Sequence, residues 1–222
     1  MSFIETEKLT KTYTMGGKVV TALDNVDLNI EEGEFLIILG PSGSGKTTLL
    51  LLLSALTKPT KGRIVVNGLE ISRFSPSKAA LWRRNNIGFI FQKFHLIDFL
   101  NSLENVMIPL YTTEISFREL TDKALILLER VGLKNRLKHK PSQLSGGEQQ
   151  RVAIARALMA DPIIVFADEP TAQLDLKTGR QILSLIREIH DERKTTFVVA
   201  THDREIIEIA DRTLNVRGGK IS

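Results

Sequence analysis

Nine residues, Gly40-Pro-Ser-Gly-Ser-Gly-Lys-Thr-Thr48, combine the types that binding a polyphosphate calls for. Glycines let a backbone come close to a ligand where a Cβ would block the approach. Successive N–H groups at a helix N-terminus make an anion cradle, because the peptide dipoles there favour negative charge. Lys46 supplies a full positive charge for β- and γ-phosphates, and Thr47 offers a hydroxyl to magnesium. Gly40, Pro41, Ser42, Gly43, Ser44, Gly45 and Thr48 complete the loop, which is spelled G-x-x-x-x-G-K-[ST].

Five more places carry residue types suited to related chemistry. Asp168-Glu169 closes the apolar run Ile163-Ile-Val-Phe-Ala167. Asp168 suits a magnesium held against phosphates, and Glu169 suits a general base or orienter of the attacking water. Taken alone, the two acids also fit a plain strand end. Gln92 ends the run Ile87-Gly-Phe-Ile-Phe91, and His202 follows Thr196-Phe-Val-Val-Ala-Thr201. By itself His202 reads as structural ahead of catalytic. Leu144-Ser-Gly-Gly-Glu-Gln-Gln150 opens a helix, with Ser145 at the N-cap and Glu148 completing a capping box. A cap does not explain Gly146 and Gly147, which each cost a helix about 1 kcal/mol; bare N–H groups there make a second anion site. Tyr13, one of two tyrosines, fits a half-buried strand aromatic or a flat face for a purine.

The elements that must position these residues follow from pattern. Two alternating stretches, Ile4 to Lys11 and Ala22 to Leu28, flank Gly16-Gly17 and predict an antiparallel pair. Glu34 to Leu39 is a buried strand leading into the loop, and Leu49 to Leu56 the helix leaving it. Arg63 to Val66 with Asn67-Gly68 reads as a strand into a hairpin turn, and Pro76 to Arg84 as a helix with proline near its start. From Lys93 to Gln143 the strand signal disappears. Ser116 to Arg130 is an amphipathic helix with Leu120, Ala124, Leu127 and Leu128 on one face, closed by Gly132. Lys134 to Lys140 is a basic run read as a solvated surface. The α/β alternation then resumes with helices at Glu148–Met159 and Lys177–His190, strands at Ile163–Ala167 and Thr196–Ala200, and a final helix and strand. The expectation is an α/β fold: a phosphate-loop NTPase core with a parallel sheet, N-terminal antiparallel strands and an inserted helical subdomain at about 93–158 of a single domain, 1–222. In such sheets ligands bind beyond the carboxyl ends of the strands, where Gln92, Asp168 and His202 stand.

Totals narrow the class. The 222 residues are 42% hydrophobic and 25% charged, ordinary for a globular protein. No apolar run approaches the ~18 residues that span a bilayer, and the first residues mix charges without a signal peptide's apolar core. With no cysteine, disulfides and thiolate metal sites are excluded. The net charge of +4 suits anionic ligands in general and does not single out nucleic acid.

The phosphate loop, Gln92, the Leu144–Gln150 signature, the Asp168-Glu169 strand and the His202 strand together resemble the ATP-binding subunits of ABC transporters over essentially the whole chain. The finer resemblance is to the lipoprotein-releasing and macrolide-exporting group, through Leu9-Thr-Lys-Thr-Tyr13, Arg84-Asn-Asn-Ile-Gly-Phe-Ile-Phe-Gln92 and Lys140-Pro-Ser-Gln-Leu-Ser-Gly-Gly147. That group includes relatives that act in cell division. The resemblance implies ATP and Mg2+ as ligands. Tyr13 then stacks on adenine, Gly40 to Thr48 hold the phosphates, and Thr47, Gln92 and Asp168 attend the magnesium. Ser145, Gly146, Gly147 and Glu148 form the signature that grips ATP held by another subunit. Lys46, Glu169 and His202 carry the catalytic roles. Ala172-Gln-Leu-Asp175 matches the loop that crosses the dimer interface, with Gln173 less usual there. It further implies an ATP-dependent homodimer, or a heterodimer with a related subunit. Separate membrane permease subunits would place the protein at the cytoplasmic face of the membrane. Export or extraction of a lipophilic substrate or peptide is expected; a regulatory or mechanical ATPase of cell-division type is the alternative. A GTPase is disfavoured, since no Asn-Lys-x-Asp sequence occurs.

Overall fold

The computed structural model describes residues 2–221, so Met1 and Ser222 of the expected domain lie outside the described residues. In chain order the elements are β1 (Ile4–Met15), β2 (Lys18–Ile30), β3 (Phe35–Leu39), α1 (Lys46–Leu53), β4 (Lys61–Val66), β5 (Leu69–Glu70), α2 (Pro76–Asn86) and β6 (Ile87–Ile90). There follow α3 (Ser102–Met107), α4 (Phe117–Arg130), α5 (Gly146–Leu158), β7 (Ile164–Asp168), α6 (Leu176–Arg193), β8 (Thr196–Thr201), β9 (Arg212–Arg217) and β10 (Lys220–Ile221). They fall into two compact units: residues 1–83 with 194–222, and residues 84–193. Among the described residues no helix is long and apolar enough to cross a membrane.

In the first unit β1 and β2 form an antiparallel hairpin that turns at Gly16-Gly17, both with positive φ (56° and 76°). Two left-handed residues match the twist of the flanking strands, which is why glycine stands at both. The pairing is not continuous: the register shifts between Thr6 and Thr12, where Lys8 on β1 and, further along the pair, Asn25 on β2 take φ of 46° and 55°. These bulges bend the long strands. On the other side of β1 lies β4, which returns through Asn67-Gly68 to the short β5. Along β2, Val26, Leu28 and Ile30 are buried in alternation, and the bulge at Asn25 puts the next buried residue, Leu23, three positions back.

The second sheet segment of this unit is parallel, with β3 between β8 and β9. Every residue of β3 and β8 is buried, as the unbroken apolar runs require of strands covered on both faces. Phe35 and Phe197 are register partners whose rings stack at 5.6 Å. After β8 the chain does not form the expected helix: Arg204–Ile209 is a 3₁₀ segment. The ten residues 202–211 between β8 and β9 leave little room for a full crossover helix.

In the second unit β6 and β7 pair in parallel, Ile87 opposite Ile164 and Ile90 opposite Ala167. Gly88 is required there, because a Cβ would lie 2.4 Å from the carbonyl oxygen of Ala157. Helices α3, α4 and α5 pack on one another, and the segment 93–158 expected to be helical lies wholly within this unit. The four apolar residues read from the sequence, Leu120, Ala124, Leu127 and Leu128, are the buried face of α4. Ser116 and Glu119 cap its start. Its end is a Schellman motif: Gly132 N–H donates to the Glu129 carbonyl (2.9 Å) and Leu133 N–H to that of Leu128 (2.7 Å), with Gly132 at φ 79°.

Candidate functional site

The candidate residues form two sets, one in each unit. In the first, β3 delivers the chain to the loop 40–45, and α1 begins at Lys46. Gly45 holds the turn at φ 112° and Gly43 at φ 75°, conformations that a side chain would strain. The glycines serve different neighbours. A Cβ on Gly40 would meet the Val216 carbonyl oxygen at 2.3 Å, and one on Gly45 that of Ala22 at 2.5 Å. Those two are demanded by the protein's own backbone. A Cβ on Gly43 would stand in open space, so glycine there answers the left-handed backbone and not a neighbouring atom.

Lys46 is 5% exposed and donates from Nζ to the carbonyls of Gly40 (2.7 Å) and Pro41 (3.2 Å). The loop thus holds the ammonium against its own carbonyl oxygens, poised at the cradle. Ser44 is buried and its Oγ has no hydrogen-bond partner. An orphaned buried hydroxyl costs the fold a desolvation penalty, and in this loop it is the kind of group a phosphate oxygen satisfies. Pro41, Ser42, Gly43 and Thr47 are exposed and Thr48 is half-buried. Beside the loop lies a cavity of about 480 Å³ whose wall includes Gly40, Pro41, His202, Asn215 and Arg217. His202 thus shares a cavity wall with Gly40 and Pro41 of the loop. Tyr13 is half-buried on β1 with Lys11 Nζ 5.1 Å from its ring centroid, and does not line that cavity.

In the second unit Gln92 is exposed two residues beyond β6. The loop that follows has two successive left-handed residues, Phe94 (φ 47°) and His95 (φ 48°). Both of their carbonyls accept from Arg156 of α5, Phe94 at 2.6 Å and His95 through Nη1. Burial pushes the Arg156 guanidinium down to about 10, which leaves it fully charged at neutral pH. Asp168 ends β7 and is buried; Glu169 comes next, half-buried, at φ 48°. A left-handed conformation in a residue other than glycine stores strain of the kind found at active sites.

The signature opens α5 as its sequence promised. Ser145 is exposed and is the N-cap: its Oγ accepts from the Glu148 N–H (3.3 Å), while its own N–H donates to Glu148 Oε2 (2.8 Å). The other oxygen, Oε1, accepts from Arg136 Nε at 2.8 Å. The Ser145 N–H, and after it Arg136, hold the Glu148 carboxyl below the usual range. Gly147 is buried, and a Cβ on it would approach Thr178 Cγ2 to 2.5 Å; a Cβ on Gly146 would come within 3.3 Å of Leu174. The glycines that helix propensity disfavours are thus enforced by close packing of the 171–178 segment. Gln150, fully buried, donates from Nε2 to the Pro170 carbonyl (2.8 Å), tying α5 to the chain just past Glu169.

Arg136 and Arg156 were missed by sequence reasoning. The run Lys134 to Lys140 is not merely a solvated surface, since Arg136 closes the signature cap and the Leu137 and His139 carbonyls accept from the first amides of α3. Nothing in local spacing marks either arginine.

For a bound Mg-nucleotide the residues fit in kind. Among the described residues no group of three or more His, Cys, Asp or Glu side chains could form a metal cage. Thr47 in the first unit, and Gln92 and Asp168 in the second, carry the hydroxyl, amide and carboxylate groups that magnesium takes alongside phosphate and water.

Residues 23–172 match the protein family described as ABC transporter. The ATP-binding protein MJ0796 of Methanocaldococcus jannaschii is 45% identical over 222 residues, covering 98% of this chain and 94% of its own. Its dimeric structure in a post-hydrolysis state bound to ADP and Pi matches with a TM-score of 0.91 over 99% of this chain and 96% of that one. LolD of the lipoprotein-releasing system of Wigglesworthia glossinidia brevipalpis is 43% identical over 100% of this chain and 96% of its own. MacB, a macrolide export ATP-binding/permease protein of Chlorobaculum tepidum, is 46% identical over 98% of this chain, which spans 33% of MacB's length. The phosphate loop, the capped signature and the strained Glu169 stand on a chain that belongs to the ABC transporter family, as an ATP-hydrolysing cassette that uses ATP and Mg2+.

Proposed function

We propose that two copies of this chain, or one copy and a related subunit, close head to tail on two ATP molecules and power separate membrane permease subunits, for export or membrane extraction of a lipophilic substrate or peptide. The observation that carries this reading is the exposed, fully capped Ser145: an anion-binding helix terminus built to face outward. The names of the relatives support it, in dimeric MJ0796 cassettes and in LolD and MacB. Lys46 and the loop 40–48 hold the phosphates, Tyr13 packs on the base, and Thr47, Gln92 and Asp168 attend the magnesium. Glu169 activates water and His202 contacts the terminal phosphate. Ser145, Gly146, Gly147 and Glu148 receive the partner's nucleotide. The magnesium, when bound, offsets charge on the phosphates. The protein works at the inner face of the membrane, attached through its permeases, and residues 1–222 act as a single nucleotide-binding domain.

ATP that binds the closed pair better than the open one favours closure by linkage, and hydrolysis removes that preference. Glu169→Gln should therefore bind ATP and accumulate as a dimer, read by sedimentation velocity. A monomer at saturating Mg-ATP contradicts the proposal. Co-purification of a permease followed by a substrate-flux assay separates a transporter from a cell-division-type ATPase that moves no substrate.

A further inference from the structure

We infer that Arg136 is a positioning residue of the signature: it lets a carboxylate fix the Ser145 backbone while cancelling the negative charge that this carboxylate sets beside an incoming polyphosphate. The inference rests on the reading that Ser145 to Gly147 completes the nucleotide site of a second copy.

Glu148 is placed where it helps and harms at once. Its Oε2 accepts the Ser145 N–H at 2.8 Å, and its own N–H donates to Ser145 Oγ at 3.3 Å. A hydroxyl has one hydrogen and two lone pairs; the cap uses a lone pair, and the same hydroxyl also hydrogen-bonds the Glu148 carboxylate. A carboxylate in the first turn also suits the helix dipole. Yet the same carboxylate is an anion at the mouth of an anion site. Its side chain is 27% exposed, too buried for water to screen it fully.

Arg136 resolves the conflict through Nε, 2.8 Å from Oε1. Its origin is fixed. Arg136 N–H donates to the Leu133 carbonyl (2.9 Å), and the next turn of chain is bolted to α3: Leu103 N–H donates to Leu137 (3.1 Å) and Ser102 N–H to His139 (2.9 Å). The neighbouring Lys134 is turned away to Glu129 at 2.6 Å. The basic run thus sends one guanidinium to one carboxylate.

Charge compensation makes a prediction that packing alone does not. In the Glu169→Gln background, the ATP concentration for half-maximal dimer is measured by sedimentation velocity, with fluorescent-nucleotide affinity measured at monomeric dilution. Arg136→Ala should raise the dimer midpoint roughly tenfold, more at low salt than at high, and leave monomer affinity unchanged. Arg136→Gln should behave like Ala, and Arg136→Lys like the parent. Adding Glu148→Gln to Arg136→Ala should recover most of the loss, since an amide oxygen still accepts the Ser145 N–H without a charge. An unchanged midpoint in both Arg136→Ala and Arg136→Gln overturns the inference, as does a loss that Glu148→Gln fails to recover. A parent that stays monomeric overturns the dimer reading, and this inference with it.

Discussion

The strongest mechanical link in the second unit is Arg156, and its removal makes a quantitative test. Its guanidinium carries two bonds, to the carbonyls of Phe94 and His95. Hydrogen bonds from a charged donor contribute about 1.5–3 kcal/mol each, so roughly 3–6 kcal/mol holds the loop after Gln92 onto α5. Against this stands the burial that pushes the guanidinium down from its ordinary value to about 10, a penalty of roughly 3 kcal/mol. Phe94 and His95 add left-handed strain of about 1 kcal/mol or more each, which is relieved once the loop is released. The terms nearly cancel for the whole fold and not for the loop. Arg156→Met should therefore lower the Tm by only a few degrees, equivalent to about 1–2 kcal/mol in a protein of this size. Amide exchange over residues 93–97, read by mass spectrometry, should rise at least tenfold. The rate of ATP hydrolysis should fall with it, because Gln92 begins that loop. Unchanged exchange at 93–97 refutes the clamp; a Tm collapse of more than about 15 °C refutes the cancellation.

Other expectations follow from single contacts. Gly147→Ala should destabilise the protein by about 1–3 kcal/mol through overpacking against Thr178 Cγ2; adding Thr178→Ser, which deletes that methyl, should recover most of the lost Tm. The Ser145 N–H and Arg136 hold the Glu148 carboxyl below its ordinary range, so its stabilisation is complete above the unfolded value and is lost as pH falls through the lower folded one. A carbon-13 carboxyl titration should put its midpoint below that of a free glutamate, and Arg136→Ala should move it upward. Lys46→Ala should abolish ATP turnover, and full turnover in that variant removes the ammonium, 2.7 Å from the Gly40 carbonyl, from the site.

Much of the fold is legible because it is local. The face of α4 shows in residues three and four apart, and all four apolar positions read from it are buried. Ser145 and Glu148 announce a cap across three residues, and Gly132 a stop across one. The bulges at Lys8 and Asn25 are not legible, since each is set by the strand opposite. The expected final helix failed for a related reason: residues 204–209 have helix-compatible side chains, but the short span between β8 and β9 decides their conformation.

The glycines sharpen the distinction. From the sequence all those of the phosphate loop serve a ligand, yet Gly40 and Gly45 are fixed by the carbonyls of Val216 and Ala22. The motif is thus partly a packing requirement between the loop and strands distant in the chain, and a Gly40→Ala variant would lose activity through the backbone before any phosphate was involved. The two arginines carry the same lesson further. Arg136 finds its carboxylate 12 residues away and Arg156 its carbonyls 61 and 62 residues away. Helical spacing reports neighbours three or four positions apart, so both side chains read as ordinary surface charge. Residues that touch the nucleotide are confined by chemistry to a few types in fixed order. Residues that hold them in place need only a charge of the right sign at the right point in space, and many sequences can supply that.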